Sequence, residues 1–296
     1  MQILYVVKPN DSLLGIAKQY GTTIELIMES NVVCNPNFIY IGMPLIIPEP
    51  NISLPKAGGA PYYVMNYGDT IWCLSKQFSL SVQELSETNQ LSNLYEIYPG
   101  KELLVGASLF NPEKLYKQWN ISEDDCAQLN SLWIFEVFYN GSFRWEAAGE
   151  RGVSYLQKLL NHSCNQVRFY TVMALGRIGK GNQTFLALQQ ALTDNDQEVV
   201  ELAKLALKRY RLIPKWTKRI HVTIFDNKLI YDISTASSSK IIPKGTSVIV
   251  LRWNIPSPTG ESSTVGGIDK FDLVQILQTG ERGYIWRGGY GGIGLL

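Results

Sequence analysis

The chain has 296 residues, with 27 Lys and Arg against 26 Asp and Glu, a formal net charge of +1 and 45% apolar residues. A balance this near zero removes the electrostatic case for nucleic-acid binding. No run of about 18 apolar residues is present to span a membrane, and the length points to two to four small domains.

The first third is one unit written twice. Residues 5–48 and 63–106 align without a gap, Tyr63 answering Tyr5, Asp69 answering Asp11, Asn89 answering Asn31 and Gly100 answering Gly42. Each copy opens on alternating apolar residues, as a short strand does. Helical spacing follows at Leu13, Ile16, Ala17 and Tyr20, and again at Ile71, Leu74 and Phe78. Asp11 and Asp69 suit helix N-caps, because a short side-chain oxygen can accept from an unpaired backbone N–H. Gly21 suits the end of the first helix. Ser81 and Glu84 fit a capping box that starts a second helix in the later copy. Gly42-Met-Pro-Leu-Ile-Ile-Pro48 and Gly100-Lys-Glu-Leu-Leu-Val105 close each unit as an apolar strand. The predicted unit is strand, helix, helix, strand.

These residues resemble the lysin-motif (LysM) family, whose opening Y-x-V-x-x-G-D-[ST]-L-x-x-I-A, Asn after the second helix and closing G-x-x-L-x-[IV]-P are legible in Tyr5–Pro48. The second copy departs at Gly106 and at Ser75, and the first has Asn10 where the loop Gly is usual, although Asn tolerates positive φ. The resemblance implies binding of N-acetylglucosamine polymers, either peptidoglycan or chitin-type chains, in a shallow groove between two loops. Carried over, the groove is Asn10, Asp11, Ser12 and Leu13 with Phe38 and Ile39 in the first copy. In the second it is Gly68, Asp69, Thr70 and Ile71 with Glu96 and Ile97. Loop backbone is expected to do the binding, with the carboxylates as caps. The copy with Gly68 intact is the expected stronger site.

Residues 50–61 read as a linker stiffened by proline and hinged at Gly58-Gly59, so that the modules (1–49 and 62–108) engage separated sugars. The segment 109–152 is helical and of unassigned type. Asn140-Gly141 is expected to interrupt its helices, and Trp119, Trp133, Phe135, Phe138, Phe143 and Trp145 are expected to pack as core. From 153 to 214 a second repeat appears, Tyr155–Leu160 with Val167 and Ala174-Leu175 being answered by Ala187–Leu192 with Val199 and Ala206-Leu207. It resembles HEAT repeats, which implies a scaffold for protein contact. Two such units are too few to stand alone, so they must pack on a neighbour. The basic run from Lys204 to Arg219 reads as a solvated helix face. After Pro214 strands take over, and Lys244-Gly245, Val248, Val250 and Gly283-Tyr-Ile-Trp286 resemble a bacterial Src-homology-3-like barrel over 215–296.

The four cysteines lack metal-ligand spacing and sit among apolar neighbours, which predicts buried free thiols and no metal. No cofactor signature is present. Neither His162 nor His221 falls in a catalytic motif, and the expected chain is non-enzymatic. It is a multidomain α+β protein of two βααβ modules, a helical hairpin block and a small β-barrel, binding wall glycan and offering its helical block or barrel to a protein partner. The nearness of Tyr5 to Met1 suggests a protein made without a signal peptide and carried to a spore surface or cell wall. Two alternatives remain open: a peptidoglycan hydrolase with catalysis in 111–150, where Glu136, Glu146 and Glu150 are the acids to consider, and an intracellular interaction protein whose modules no longer bind sugar.

Overall fold

The structure is a computed structural model that describes residues 3–49, 55–235, 238–258, 268–288 and 292–296. Module 1 is β1 (Ile3–Val6), α1 (Leu13–Tyr20), α2 (Ile24–Asn31) and β2 (Pro44–Ile47). Module 2 repeats it as β3 (Tyr62–Val64), α3 (Ile71–Gln77), α4 (Val82–Thr88) and β4 (Glu102–Leu104). In each, the two strands pair antiparallel, Tyr5 opposite Leu45 and Tyr63 opposite Leu103. The Asn ending each second helix locks the unit. Asn31 Nδ2 donates to the carbonyls of Ile27 and Ile46 while its Oδ1 accepts from Ile46 N, and Asn89 does the same with Leu85 and Leu104. A buried amide satisfied on both sides ties helix to strand.

The helical block follows as α5 (Pro112–Trp119), α6 (Glu123–Ala127), α7 (Ser131–Trp133), a π-helical turn (Ile134–Tyr139) and α8 (Asn140–Ala148). Asn140-Gly141 is not a break: the chain runs on in helix. The glycine answers packing, since a β-carbon at 141 would lie 2.8 Å from Trp119 Nε1. Of the six aromatic residues expected in the core, Trp119, Phe138, Phe143 and Trp145 are buried, whereas Trp133 and Phe135 are half-buried. Two hairpins come next, α9 (Val153–Leu159) with α10 (Asn165–Ile178), and α11 (Asn182–Gln190) with α12 (Gln197–Trp216). Val167, Ala174 and Leu175 are fully buried between them, and Asp196 caps α12.

The last region is a six-stranded sheet built from β5 (Ile220–Val222), β6 (Asn227–Ile230), β7 (Ser239–Ile242), β8 (Ser247–Pro256), β9 (Lys270–Ile276) and β10 (Arg282–Trp286). Its order is β5-β8-β9-β10-β6-β7. The expected closed barrel is not formed among the described residues, because the edge strands β5 and β7 do not pair with each other. The sheet packs on the rest of the molecule instead. Its Val222, Leu229, Val250 and Trp253 share a core with Tyr62 of module 2, Trp145 and the α10–α12 hairpin. Most of the expected loop 255–269 lies outside the described residues, although Ile255 and Pro256 belong to β8.

Two further expectations fail. The cysteines are not free: Cys34 bonds Cys73 and Cys126 bonds Cys164, each pair with Cα atoms 5.9 Å apart. The pairs join elements nearly forty residues apart, so proximity comes from tertiary docking and leaves no local spacing signal. Nor is the basic run uniformly solvated. Arg209 is buried and donates to the carbonyls of Gly176, Lys218 and Ile220, stitching α12 to α10 and β5. Lys218 pairs with Glu146.

A candidate saccharide-binding surface on the paired modules

In both modules the groove loops leave neighbouring strand ends. Val7 N donates to Met43 O and Gly42 N to Val7 O. Met65 N donates to Lys101 O and Gly100 N to Met65 O. The loop opening each first helix therefore starts beside the loop that follows each second helix. Asn10 adopts φ +68° and Gly68 φ +80°, the left-handed conformation the loop needs in both copies.

The predicted roles of Asp11 and Asp69 need correction. The N-caps are Ser12 and Thr70, whose hydroxyls accept from Gly15 N and Cys73 N. Each Asp holds the loop from inside. Asp11 Oδ2 accepts from Tyr5 Oη at 2.6 Å and Lys8 N at 2.7 Å, and Asp69 Oδ2 from Tyr63 Oη and Asn66 N, both at 2.7 Å. The hydrogen bond to Asp11 pushes the Tyr5 phenol up to about 12. Tyr5 and Lys8 N in turn lower the Asp11 carboxyl below its ordinary value. Asp69 moves the other way: burial outweighs its hydrogen bonds and raises it. Both carboxylates are engaged within their own loops, and residues 10, 12, 68 and 70 are exposed.

Leu13 and Ile71 are buried beneath the loops, and Ile39 and Ile97 are half-buried. Phe38 remains 45% exposed. Glu96 is turned back on its own loop, accepting from Ser92 N and the Ser92 hydroxyl, which lowers its pKa. Sequence reasoning overlooked the exposed aromatic residues beside these loops: Tyr40, Tyr67, Trp72, Tyr95 and Tyr98, with Tyr95 90% exposed. They break the alternation of the core pattern, the one signal that could have marked them.

The modules are not separated by a spacer. Val32 and Cys34, which follow α2 of module 1, pack in the core of module 2 with Tyr63, Ile71 and Leu74. The Cys34–Cys73 disulfide crosses the same junction. The linker residues among those described are pinned: Ala57 N donates to Ser30 O, Gly58 N to Asn254 O, and Arg252 to the carbonyls of Asn31 and Ala57. Residues 50–54 of the predicted linker lie outside the described residues.

Of the acids in 111–150, Glu136 and Glu150 are exposed and Glu146 is buried. Glu146 accepts from Tyr62 Oη at 2.6 Å and Lys218 Nζ at 3.1 Å. Burial would raise it, but Lys218, Arg209, Tyr62 and Arg177 together hold it below its ordinary value. His221 Nε2 lies 3.0 Å from Glu102 Oε1, and Trp253 Nε1 donates to Glu102 Oε2. Burial lowers His221 despite Glu102. These buried groups join module 2 to the helical block and the sheet. Among the described residues no cluster of His, Cys, Asp and Glu could hold a metal, and no helix is long and apolar enough to cross a membrane.

The LysM domain family matches residues 5–48 and 63–106, so the chain carries two LysM domains in tandem. Similar curated proteins include the N-acetylmuramoyl-L-alanine amidase sle1 of Staphylococcus epidermidis, 33% identical over 108 residues, and that of Staphylococcus aureus, 35% identical over 111 residues. Each match covers 34% of this chain and 33% of the relative, so the chain spans about a third of the length of these relatives. The spore cortex-lytic enzymes SleL of Bacillus megaterium QM B1551 and Bacillus cereus align over 96% of this chain and 88% of theirs, at 14% and 11% identity. Their TM-scores of 0.17 and 0.19 mean that the overall folds do not superpose. The expectation of a non-enzymatic chain is overturned, since the relatives that share its LysM region are named as amidases.

Proposed function

We propose that the chain binds N-acetylglucosamine-containing wall glycan, peptidoglycan first, through its two LysM modules, and that this binding serves peptidoglycan hydrolysis. The observation that carries the binding half is that both modules keep the same loop, with Asp11 and Asp69 engaged internally and residues 10, 12, 68 and 70 exposed. Backbone amides and carbonyls in such loops suit an acetamido group, and Phe38, Ile39 and Ile97 offer apolar cover for the sugar face. The groove residues are then Asn10, Asp11, Ser12, Leu13, Phe38 and Ile39, with Gly68, Asp69, Thr70, Ile71, Glu96 and Ile97. The lytic half rests on the names of the relatives. Of the three acids considered in 111–150 it leaves the exposed Glu136 and Glu150, because Glu146 is committed to Lys218 and Tyr62.

Two disulfides fit a place outside a reducing cytoplasm, at the wall where the ligand is. The test is co-sedimentation of the full chain with insoluble peptidoglycan, competed by soluble N-acetylglucosamine oligomers, alongside the turbidity of the same suspension. Sedimentation that soluble oligomer reverses, with falling turbidity, is the expected result. New reducing ends would mark cleavage of the glycan and new amino groups cleavage of the amide. A chain that stays in the supernatant overturns the binding reading, and stable turbidity with the chain bound overturns the lytic half.

A further inference from the structure

Four observations fall on one junction. The loop after α2, which carries the groove residues Phe38 and Ile39 of module 1, lies directly on the loop that opens α3 of module 2. A β-carbon at Gly68 would collide with the Phe38 ring and stand 3.1 Å from Asn35 Cβ, so the ring packs closely against Gly68. The disulfide from Cys34 to Cys73 ties the loop after α2 to the first turn of α3, and Val32 is buried in the core of module 2. Phe38 nevertheless stays 45% exposed, and Tyr67 and Trp72, beside Gly68 and Cys73, are 71% and 58% exposed.

One wall of the first groove is therefore the neighbour of one wall of the second, with a partly exposed aromatic ring where they meet. We propose that the two LysM grooves form a single saccharide track, in which Phe38 is a shared platform between them, and that the Cys34–Cys73 disulfide holds the two halves in register. This rests on the glycan-binding reading above and narrows its ligand to one continuous strand long enough to cross both modules. Two flexibly tethered sites would gain affinity from a linker's effective concentration. A fixed track gains it because the second half is already positioned when the first engages. Phe38 belongs to the groove of module 1, and glycine at 68 leaves room for its ring against module 2.

The two designs differ in stoichiometry. Calorimetry of the full oxidised chain should show two tetramers of N-acetylglucosamine bound per chain, but one octamer, held about a hundredfold or more tighter. The double variant Cys34→Ser/Cys73→Ser, checked by circular dichroism for retained helix, should bind tetramers unchanged and lose at least about tenfold of the octamer gain. Phe38→Ala should drop octamer affinity to that of a single module-2 site. Two octamers per chain, each bound no better than a tetramer, would overturn the track. Unchanged octamer affinity in the cysteine variant would overturn the role of the disulfide. No heat with either oligomer would remove the glycan reading itself, an outcome distinct from both.

Discussion

Asp11 and Asp69 occupy equivalent positions and titrate in opposite directions, which gives a residue-scale test of the two loops. Asp11 is depressed, so its contribution to stability is present above the ordinary Asp value of 3.8 and is lost as pH falls through its folded value. Asp69 is raised mainly by burial, so its ionisation opposes folding and its contribution is lost as pH rises through its folded value. On acidification the Asp69 carboxyl should therefore take up its proton before that of Asp11. The reverse order, read by NMR between neutral pH and the carboxylate range, would contradict the assignment. At neutral pH Asp69→Ala should cost about 1–3 kcal/mol in urea unfolding, because it leaves the buried Tyr63 hydroxyl and Asn66 N–H short of their acceptor. The sequence showed that both positions need an Asp, by repetition. It could not show that the cap is the next residue, Ser12 or Thr70, because Asp and Ser or Thr are equally good caps in isolation. Only the reach of Tyr5 and Tyr63 across each loop decides which oxygen goes where.

Among the elements, α10 is the most constrained. Val167, Ala174 and Leu175 are fully buried, and Arg177 lies beneath Tyr62 and Phe143. Gly176 lets the chain end approach, since a β-carbon there would stand 3.0 Å from the Leu296 side chain. Leu175→Ala should cost about 2–5 kcal/mol in chemical denaturation, the range for a fully buried leucine. Gly141→Ala on α8 should cost about 1–3 kcal/mol, because Trp119 is buried and cannot retreat from the added methyl. A fragment of residues 154–212 should lack cooperative melting by circular dichroism, since it would expose Ala174, Leu205 and Leu207 where the sheet and chain end now cover them. Repetition made these hairpins legible in sequence. Their partner was not legible, because apolar faces on helix and strand carry no address.

For the whole molecule, the buried polar groups at the meeting of module 2, helical block and sheet set the acid response. Glu146 is held low, against its burial, by Lys218, Arg209, Tyr62 and Arg177, and His221 is lowered by burial. In both cases the unfolded chain binds more protons, so stability is present above the unfolded pKa values and is lost as pH falls, first for His221 below about 6.5 and then for Glu146. Melting temperature should fall steadily from pH 7 to 4, and a flat profile would show that the three regions are not coupled there. Glu146→Ala should cost about 3–5 kcal/mol, as expected when one partner of a buried charge set is removed. By itself the sequence determined the two βααβ modules, their loops, the helical hairpins and the change to strands after Pro214. All of these follow from short-range periodicity, capping and the internal repeat. Only the tertiary structure decided the cysteine pairs, the open sheet, the burial of Arg209 and the contact of Phe38 with Gly68. Each depends on where separately folded surfaces meet, and interactions between residues distant in the chain leave no period in one sequence to read.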